Sequence, residues 1–290
     1  MADPAQSAPH PLLESLEPRQ AEALAALRAR IAGDGAVVVA YSGGVDSALV
    51  AAIAAEQRGD RALAVTGISP ALAPHLRQEA QQQARWMGIR HREIPTAELN
   101  DPAYSSNPAD RCYACKRELH RLLAELVRQP EAAGAVVLDG VNHDDLGDHR
   151  PGIRAAQEQG VRSPLAELGI RKADVRAISR ALGFPWWDKP AQPCLASRFP
   201  YGEPISAARL QRVGAAEAWL RQQGFRELRV RSQGETARIE LPEAQLNQLL
   251  EAAQRRRLVA AFRELGFSAV SLDLEGLISG KLNRDLPAQH

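Results

Sequence analysis

Apolar positions in this chain fall into short unbroken runs separated by longer stretches of helical period. Over residues 18–31, Leu24, Leu27 and Ile31 line one side of a predicted helix, and Gly33 and Gly35 end it. Ala36-Val37-Val38-Val39-Ala40 follows with no polar break. Such a run predicts a strand covered on both faces, as in a parallel sheet. A glycine turn then leads into a helix over 47–56. The unit recurs with strands over 62–68, 91–94 and 135–139, and helices over 74–87, 115–127 and 172–182. This alternation predicts an α/β fold, a doubly wound and mostly parallel sheet.

Near Pro185 the pattern changes. Trp186, Trp187, Pro190, Pro193, Pro200, Gly202 and Pro204 crowd together, which is loop chemistry and marks a domain boundary. A helix over 207–222, a hairpin of strands 226–232 and 236–241, one helix over 242–265 and a strand over 268–274 predict a small α+β module. The expected organisation is a loose tail (1–17), a nucleotide-type α/β domain (18–185), a linker carrying Cys194 (186–204) and a small substrate or oligomerisation domain (205–290).

Composition narrows the function. A net charge of +1 gives no field for a long polyanion, which argues against nucleic acid as a partner. The first residues lack a basic start followed by an apolar run. No segment reaches the roughly 18 apolar residues of a membrane span. The expectation is a cytoplasmic protein with no membrane partner. Three cysteines, Cys112, Cys115 and Cys194, make a poor disulfide framework, so metal binding or sulfur chemistry is the better reading.

The most specific motif is Ser42-Gly43-Gly44-Val45-Asp46-Ser47, between the first buried strand and its helix. Ligands of α/β sheets bind at that end of the strands. The glycines let backbone approach an anion, and the helix amides and dipole favour negative charge. Ser42 and Ser47 add hydroxyls, and Asp46 suits orienting the loop or reaching magnesium. The bland alternative is a capped glycine turn. A second loop, Asp139-Gly140-Val141-Asn142-His143-Asp144-Asp145, follows the fourth strand at the same sheet edge. There Gly140 and Asn142 suit nucleotide contact, Asp145 or Asp148 a magnesium ion or substrate, and Arg150 a phosphate; a solvated turn is the alternative.

Cys112-Tyr113-Ala114-Cys115 opens a predicted helix, with Arg111 and Lys116 alongside to favour thiolates. The pair alone could be redox-active or half a zinc site. With Cys194, which sits between Pro193 and Ser197-Arg198, three thiolates are one short of a closed zinc site but suffice for a four-iron cluster with one open iron. Arg229 and Arg231 are two apart on a strand and share a face, as a bidentate phosphate site would need.

These residues resemble the LarE-type ATP-dependent sulfur transferases of the PP-loop ATP pyrophosphatase superfamily. The resemblance rests on Tyr41–Ser47, Leu138-Asp139-Gly140, Arg150-Pro151-Gly152, Ser197-Arg198-Phe199-Pro200-Tyr201-Gly202, Arg229-Val230-Arg231 and Ala237-Arg238-Ile239-Glu240-Leu241-Pro242-Glu243. It implies magnesium and ATP as cofactors, and adenylylation of a carboxylate on a pyridinium mononucleotide with loss of pyrophosphate. Sulfur then enters as a thiocarboxylate, in biosynthesis of the nickel-pincer nucleotide. Cys194 falls at the sulfur-donating position. All three cysteines together resemble the branch that binds a [4Fe-4S] cluster rather than the one that sacrifices a cysteine. The resemblance also implies a phosphate site of Ser197, Arg198, Arg229 and Arg231, a cation or substrate role for Glu217 and Glu240, and a homo-oligomer, trimer or hexamer. Gln248 stands where the family pattern has an acid. Rival readings are an iron–sulfur tRNA thiolase, an amidating synthetase and a non-enzymatic nucleotide or metal-binding regulator.

Overall fold

The computed structural model describes residues 11–147, 151–278, 281 and 284. In chain order the elements are α1 (Pro18–Ala32), β1 (Val37–Ala40), α2 (Val45–Arg58), β2 (Ala62–Ile68), α3 (Pro74–Trp86), β3 (Arg90–Pro95), α4 (Pro102–Ser105), α5 (Arg111–Leu126), β4 (Val136–Leu138), α6 (Pro151–Glu158), α7 (Pro164–Glu167), α8 (Lys172–Ala181), α9 (Ala207–Gln222), β5 (Arg229–Gln233), β6 (Thr236–Glu240), α10 (Leu246–Leu250), α11 (Ala252–Glu264) and β7 (Ala269–Leu272). No described helix is long and apolar enough to cross a membrane.

The chain divides into two compact units. The first comprises residues 1–69, 76–98 and 112–192, and the second 70–75, 99–111 and 193–290. In the first unit a parallel sheet runs β3-β2-β1-β4. The apolar run of β1 has a simple cause. Val37 and Val39 face a core shared with Leu24, Leu27 and Ile31 of α1, Leu49 and Ile53 of α2, and Val175 and Ile178 of α8. Val38 and Ala40 face the opposite core, with Leu63, Val65, Leu123 and Leu126. Alternate side chains leave a strand on opposite faces, so two covered faces demand apolar residues at every position. Leu13, in the segment expected as a tail, donates its N–H to Ala181 O at 2.7 Å.

In the second unit β5 and β6 form an antiparallel hairpin, and β7 joins β6 in parallel. Phe262 of α11 packs near Trp219 of α9 and near Phe267, with ring centroids 6.2 and 5.8 Å apart. The early segments join this unit through backbone bonds. Ala71 O accepts from Leu195, Asn107 O from Gly202 and Ser105 O from Ile205, at 2.9, 2.8 and 2.7 Å. Asn107 takes a left-handed φ of 58°, tolerable for Asn, and its side-chain amide donates to Pro200 O at 2.6 Å.

Two expectations change. The single helix over 242–265 is broken: Glu251 adopts an extended ψ of 136° between α10 and α11. The helix expected from Cys115 begins at Arg111, so both Cys112 and Cys115 lie in its first turns. Helices α4, α6 and α7, at Pro102, Pro151 and Pro164, are additional; each opens on a proline, whose fixed φ suits a first helical position.

His120 on α5 is 1% exposed, and its Nδ1 has no hydrogen-bond partner. Burial, aided by the charge of Lys116, pushes its pKa down to about 3. The folded chain therefore keeps this imidazole neutral, while the unfolded chain protonates it near pH 6.5. Its contribution to stability is complete above that pH and declines as pH falls toward 3, by up to about 1.4 kcal/mol per pH unit. Between pH 7 and pH 5, urea titrations of His120→Leu should show about 2 kcal/mol less loss of stability than the wild type. Equal losses would show that His120 does not carry this proton linkage.

Candidate active site

The phosphate loop is built where β1 ends and α2 begins. Gly43 has a left-handed φ of 71°, and a Cβ there would lie 3.1 Å from the Ala80 Cβ. Gly44 caps α2, whose first amides have no partner within the helix. The Ser47 hydroxyl donates to Gly44 O at 3.1 Å, accepts from Ser42 N–H at 3.2 Å and lies 3.0 Å from the Ser42 hydroxyl. The two serines thus close the loop on itself.

Gly140 meets this loop from β4. A Cβ at Gly140 would lie 2.5 Å from Ser47 N and 2.7 Å from Ser47 Cα. The loop after β4 can reach the head of α2 only without a side chain at that point. Asn142 Nδ2 donates to Asp46 Oδ1 at 3.3 Å. Asn142 Oδ1 accepts from the N–H groups of Asp144 and Asp145, at 3.0 and 3.3 Å, and Asp145 Oδ2 accepts from Asn142 N–H at 3.1 Å. Asp145, proposed from sequence for magnesium, is thus engaged inside its own turn. Asp139 is buried beside it, and burial raises its pKa against the opposing bond from Ser163. Arg150 and Asp148 lie outside the described residues.

Two lysines that sequence reading missed complete the loop. The ammonium of Lys172, at the start of α8, pairs with Asp46 Oδ2. Lys189 Nζ donates to Gly43 O at 3.0 Å and pairs with Glu79 of α3 at 2.8 Å. Neither lysine carried a motif, because each meets its partner across more than a hundred residues of chain.

In the second unit Cys194 is exposed and caps a short 3-10 turn, Leu195–Arg198. Cys194 O accepts from the Ser197 hydroxyl at 2.8 Å and from Ser197 N–H at 3.0 Å. The arginines named for a phosphate are placed differently from one another. Arg198 pairs with buried Glu217 at 2.6 Å, and its Nη1 donates to the Ser197 hydroxyl at 2.8 Å. Arg231 pairs with buried Glu240 at 3.0 Å, and its Nη1 donates to Ser197 O at 2.8 Å. Both arginines therefore clamp the turn that carries Cys194. Glu217 also accepts from Val230 N–H at 3.0 Å. Arg229 is half-buried and donates to Ile278 O at 3.3 Å. Burial, then the charges of Arg198 and Arg231, lower its pKa. Glu240 is shared, since Arg238 also reaches it at 3.6 Å and pairs with Asp273 at 3.4 Å.

None of the three cysteines is in a disulfide; Cys112 is exposed and Cys115 half-buried. Cys112 and Cys115 are three apart on α5 and share a helical face. Their thiols are chemically suited to iron. Cys194 belongs to the other unit. Among the described residues no group of three or more His, Cys, Asp or Glu is gathered to hold a metal ion.

A parallel sheet with this loop at its carboxyl edge defines a PP-loop nucleotide enzyme. The asparagine synthase family pattern matches residues 21–102, which contain the loop. The chain is 55% identical over 250 residues to an uncharacterised protein of Synechocystis sp., spanning 86% of this chain and 92% of the relative. It is 37% identical over 251 residues to the pyridinium-3,5-bisthiocarboxylic acid mononucleotide synthase of Lactiplantibacillus plantarum, spanning 86% and 90%. An uncharacterised protein of Methanocaldococcus jannaschii is 28% identical over 239 residues, spanning 82% and 89%. The chain belongs to the LarE-type family and is a sulfurtransferase.

Gly140→Ala forces a methyl group into the α2 backbone. It should destabilise the chain by about 1–3 kcal/mol and reduce ATP affinity at least tenfold. Calorimetry and nucleotide titration check this; wild-type affinity would mean that the loop after β4 does not set the position of α2.

Proposed function

We infer that the chain uses ATP and magnesium to adenylylate a carboxylate of a pyridinium mononucleotide, and then converts it to a thiocarboxylate. The phosphate loop carries this reading. A carboxylate oxygen attacks the α-phosphorus, the bond to the β-phosphate bridging oxygen breaks, and pyrophosphate leaves with that electron pair. Sulfide then adds to the acyl carbon and expels AMP. The relative in Lactiplantibacillus plantarum is named for the corresponding bisthiocarboxylic acid product.

The chain's own groups have distinct tasks. The first amides of α2 and the Ser42 and Ser47 hydroxyls receive the charge that develops on pyrophosphate. Asp46, held by Asn142 and Lys172, fixes the first turn of α2. Gly140 permits the close contact, and Asn142 joins the two loops. Arg229 supplies the positive charge for the substrate phosphate, and Ser197 adds a hydroxyl from the turn that Arg198 and Arg231 clamp. Glu217 and Glu240 act through Arg198 and Arg231. Cys112, Cys115 and Cys194 would hold a [4Fe-4S] cluster, which when bound supplies the sulfide.

Asp46→Ala removes the acceptor of both Lys172 and Asn142. It should lower ATP-dependent pyrophosphate release at least a hundredfold, measured with substrate present; retained release would remove Asp46 from the machinery. Cys194→Ala should spare pyrophosphate release and stop thiocarboxylate formation. Iron and acid-labile sulfide, measured after anaerobic reconstitution, should approach four per wild-type chain and fall in each Cys→Ala variant. Dehydroalanine at Cys194 after turnover, without iron, would identify a sacrificial cysteine instead.

A further inference from the structure

The peptide between Gly43 and Gly44 is the most easily rotated bond plane in the phosphate loop. Rotating it by half a turn changes ψ of Gly43 and φ of Gly44. Gly44 sits at φ −79°, so the rotated form would carry it near +100°, a region open to glycine and closed to most other residues. Two adjacent glycines therefore make the loop compatible with an anion but do not choose which way this peptide points. In a trans peptide, C=O and N–H point in opposite directions. Whatever holds the Gly43 carbonyl also aims the Gly44 N–H.

Lys189 holds that carbonyl. Its Nζ donates to Gly43 O at 3.0 Å and is itself held by Glu79 at 2.8 Å. The Lys189 side chain is 12% exposed, so the bond is largely shielded from water. Glu79 immediately precedes Ala80, the residue against which Gly43 packs. Carbonyl, ammonium and carboxylate thus form one strap from the loop to α3. On the opposite side of the peptide, Gly44 N–H points toward the Ser42 hydroxyl at a long 3.4 Å. A stronger acceptor can take over so weak a bond.

We propose that Lys189 is a positioning residue for ATP: it fixes the Gly43–Gly44 peptide so that the Gly44 N–H faces the leaving pyrophosphate. The inference rests on the phosphate-loop reading given above. In the rotated form the Gly43 carbonyl, an acceptor, would face the phosphates and repel them. The ammonium acts through the peptide and need not touch the nucleotide. Its loss should therefore weaken ligands that carry the β- and γ-phosphates and leave AMP unaffected. A guanidinium can donate to the same carbonyl, so arginine should restore most of the effect.

Dissociation constants for ATP and AMP, measured on the full-length wild type and on Lys189→Met, Lys189→Arg and Glu79→Gln, test this. Lys189→Met should unfold as cooperatively as the wild type, bind ATP about tenfold more weakly and bind AMP within twofold of the wild type. Lys189→Arg should recover most of the ATP affinity. Glu79→Gln, which leaves the ammonium but loosens it, should weaken ATP about threefold, and it remains informative if Lys189→Met fails to fold. ATP affinity unchanged in both Lys189→Met and Glu79→Gln would overturn the assignment. Equal losses for ATP and AMP would overturn it as well, by showing general damage to the site. A wild type that binds no ATP would instead remove the phosphate-loop reading itself.

Discussion

The first unit depends on bringing bare backbone to one point. An anion as charged as pyrophosphate is best met by amide groups that need no reorganisation, and the head of α2 supplies them. Amides can be presented this way only if nothing stands in front of them and the turn before them is held open. Gly43 against Ala80 and Gly140 against Ser47 meet the first condition, since a methyl group at Gly140 would collide with backbone. The second is met by side chains that bond to the loop from outside. Asn142 and Lys172 hold Asp46, and Lys189 holds Gly43. The sheet serves the same point, because β1 and β4 are paired in parallel and end at the same edge.

The second unit solves a different problem with a different interaction. Two arginine–glutamate pairs lie in its interior, where desolvation offsets much of their mutual attraction. Such pairs are poor sources of stability, but losing one partner strands the other, so their geometry is firmly held. That geometry is passed to Ser197, whose hydroxyl and carbonyl accept from Arg198 and Arg231 respectively. The turn after Cys194 is consequently fixed by buried charge rather than by regular secondary structure. An exposed cysteine on a short irregular turn is held in place only with some such support, because four residues of 3-10 helix hold little shape by themselves. Arg229 lies two positions before Arg231 on β5 and shares its face of the strand.

Much of this was legible in the sequence, and the limits have physical causes. β1 and the start of β2 were readable because burial on both faces leaves a continuous apolar run, as in Val37–Ala40, whereas edge strand β3 is mostly polar. The phosphate loop was readable because its chemistry is local: six consecutive residues contain the glycines, hydroxyls and carboxylate. Glu251 breaks the predicted long helix through its backbone conformation, and its residue type gives no sign of that. Lys172 and Lys189 carry no sequence signal of their own, since nothing within their own segments names a partner. Arg198 and Arg231 were recognised as important; the Arg231–Glu240 pair spans the hairpin expected from sequence, whereas Arg198–Glu217 joins a turn and a helix that only the folded chain brings together. The segments 70–75 and 99–111 read as connections of the first unit, yet the carbonyls of Ala71, Ser105 and Asn107 accept from Leu195, Ile205 and Gly202 of the second.

The two lysines at the phosphate loop are each paired with a carboxylate, and this bears on why its backbone matters so much. Lys172 faces Asp46 and Lys189 faces Glu79, two cations against two anions. Beyond these two pairs, the described loop offers phosphate the partial positive charge at the head of α2 and the direction of individual N–H groups. Those contributions are short-ranged and depend on angle, whereas a free ammonium acts in any orientation. A site built in this way gains selectivity for the shape of the phosphate chain and becomes sensitive to small rotations of peptide planes. The lysines therefore serve less as charges offered to the ligand than as donors and partners that keep the loop in the one arrangement where its amides converge.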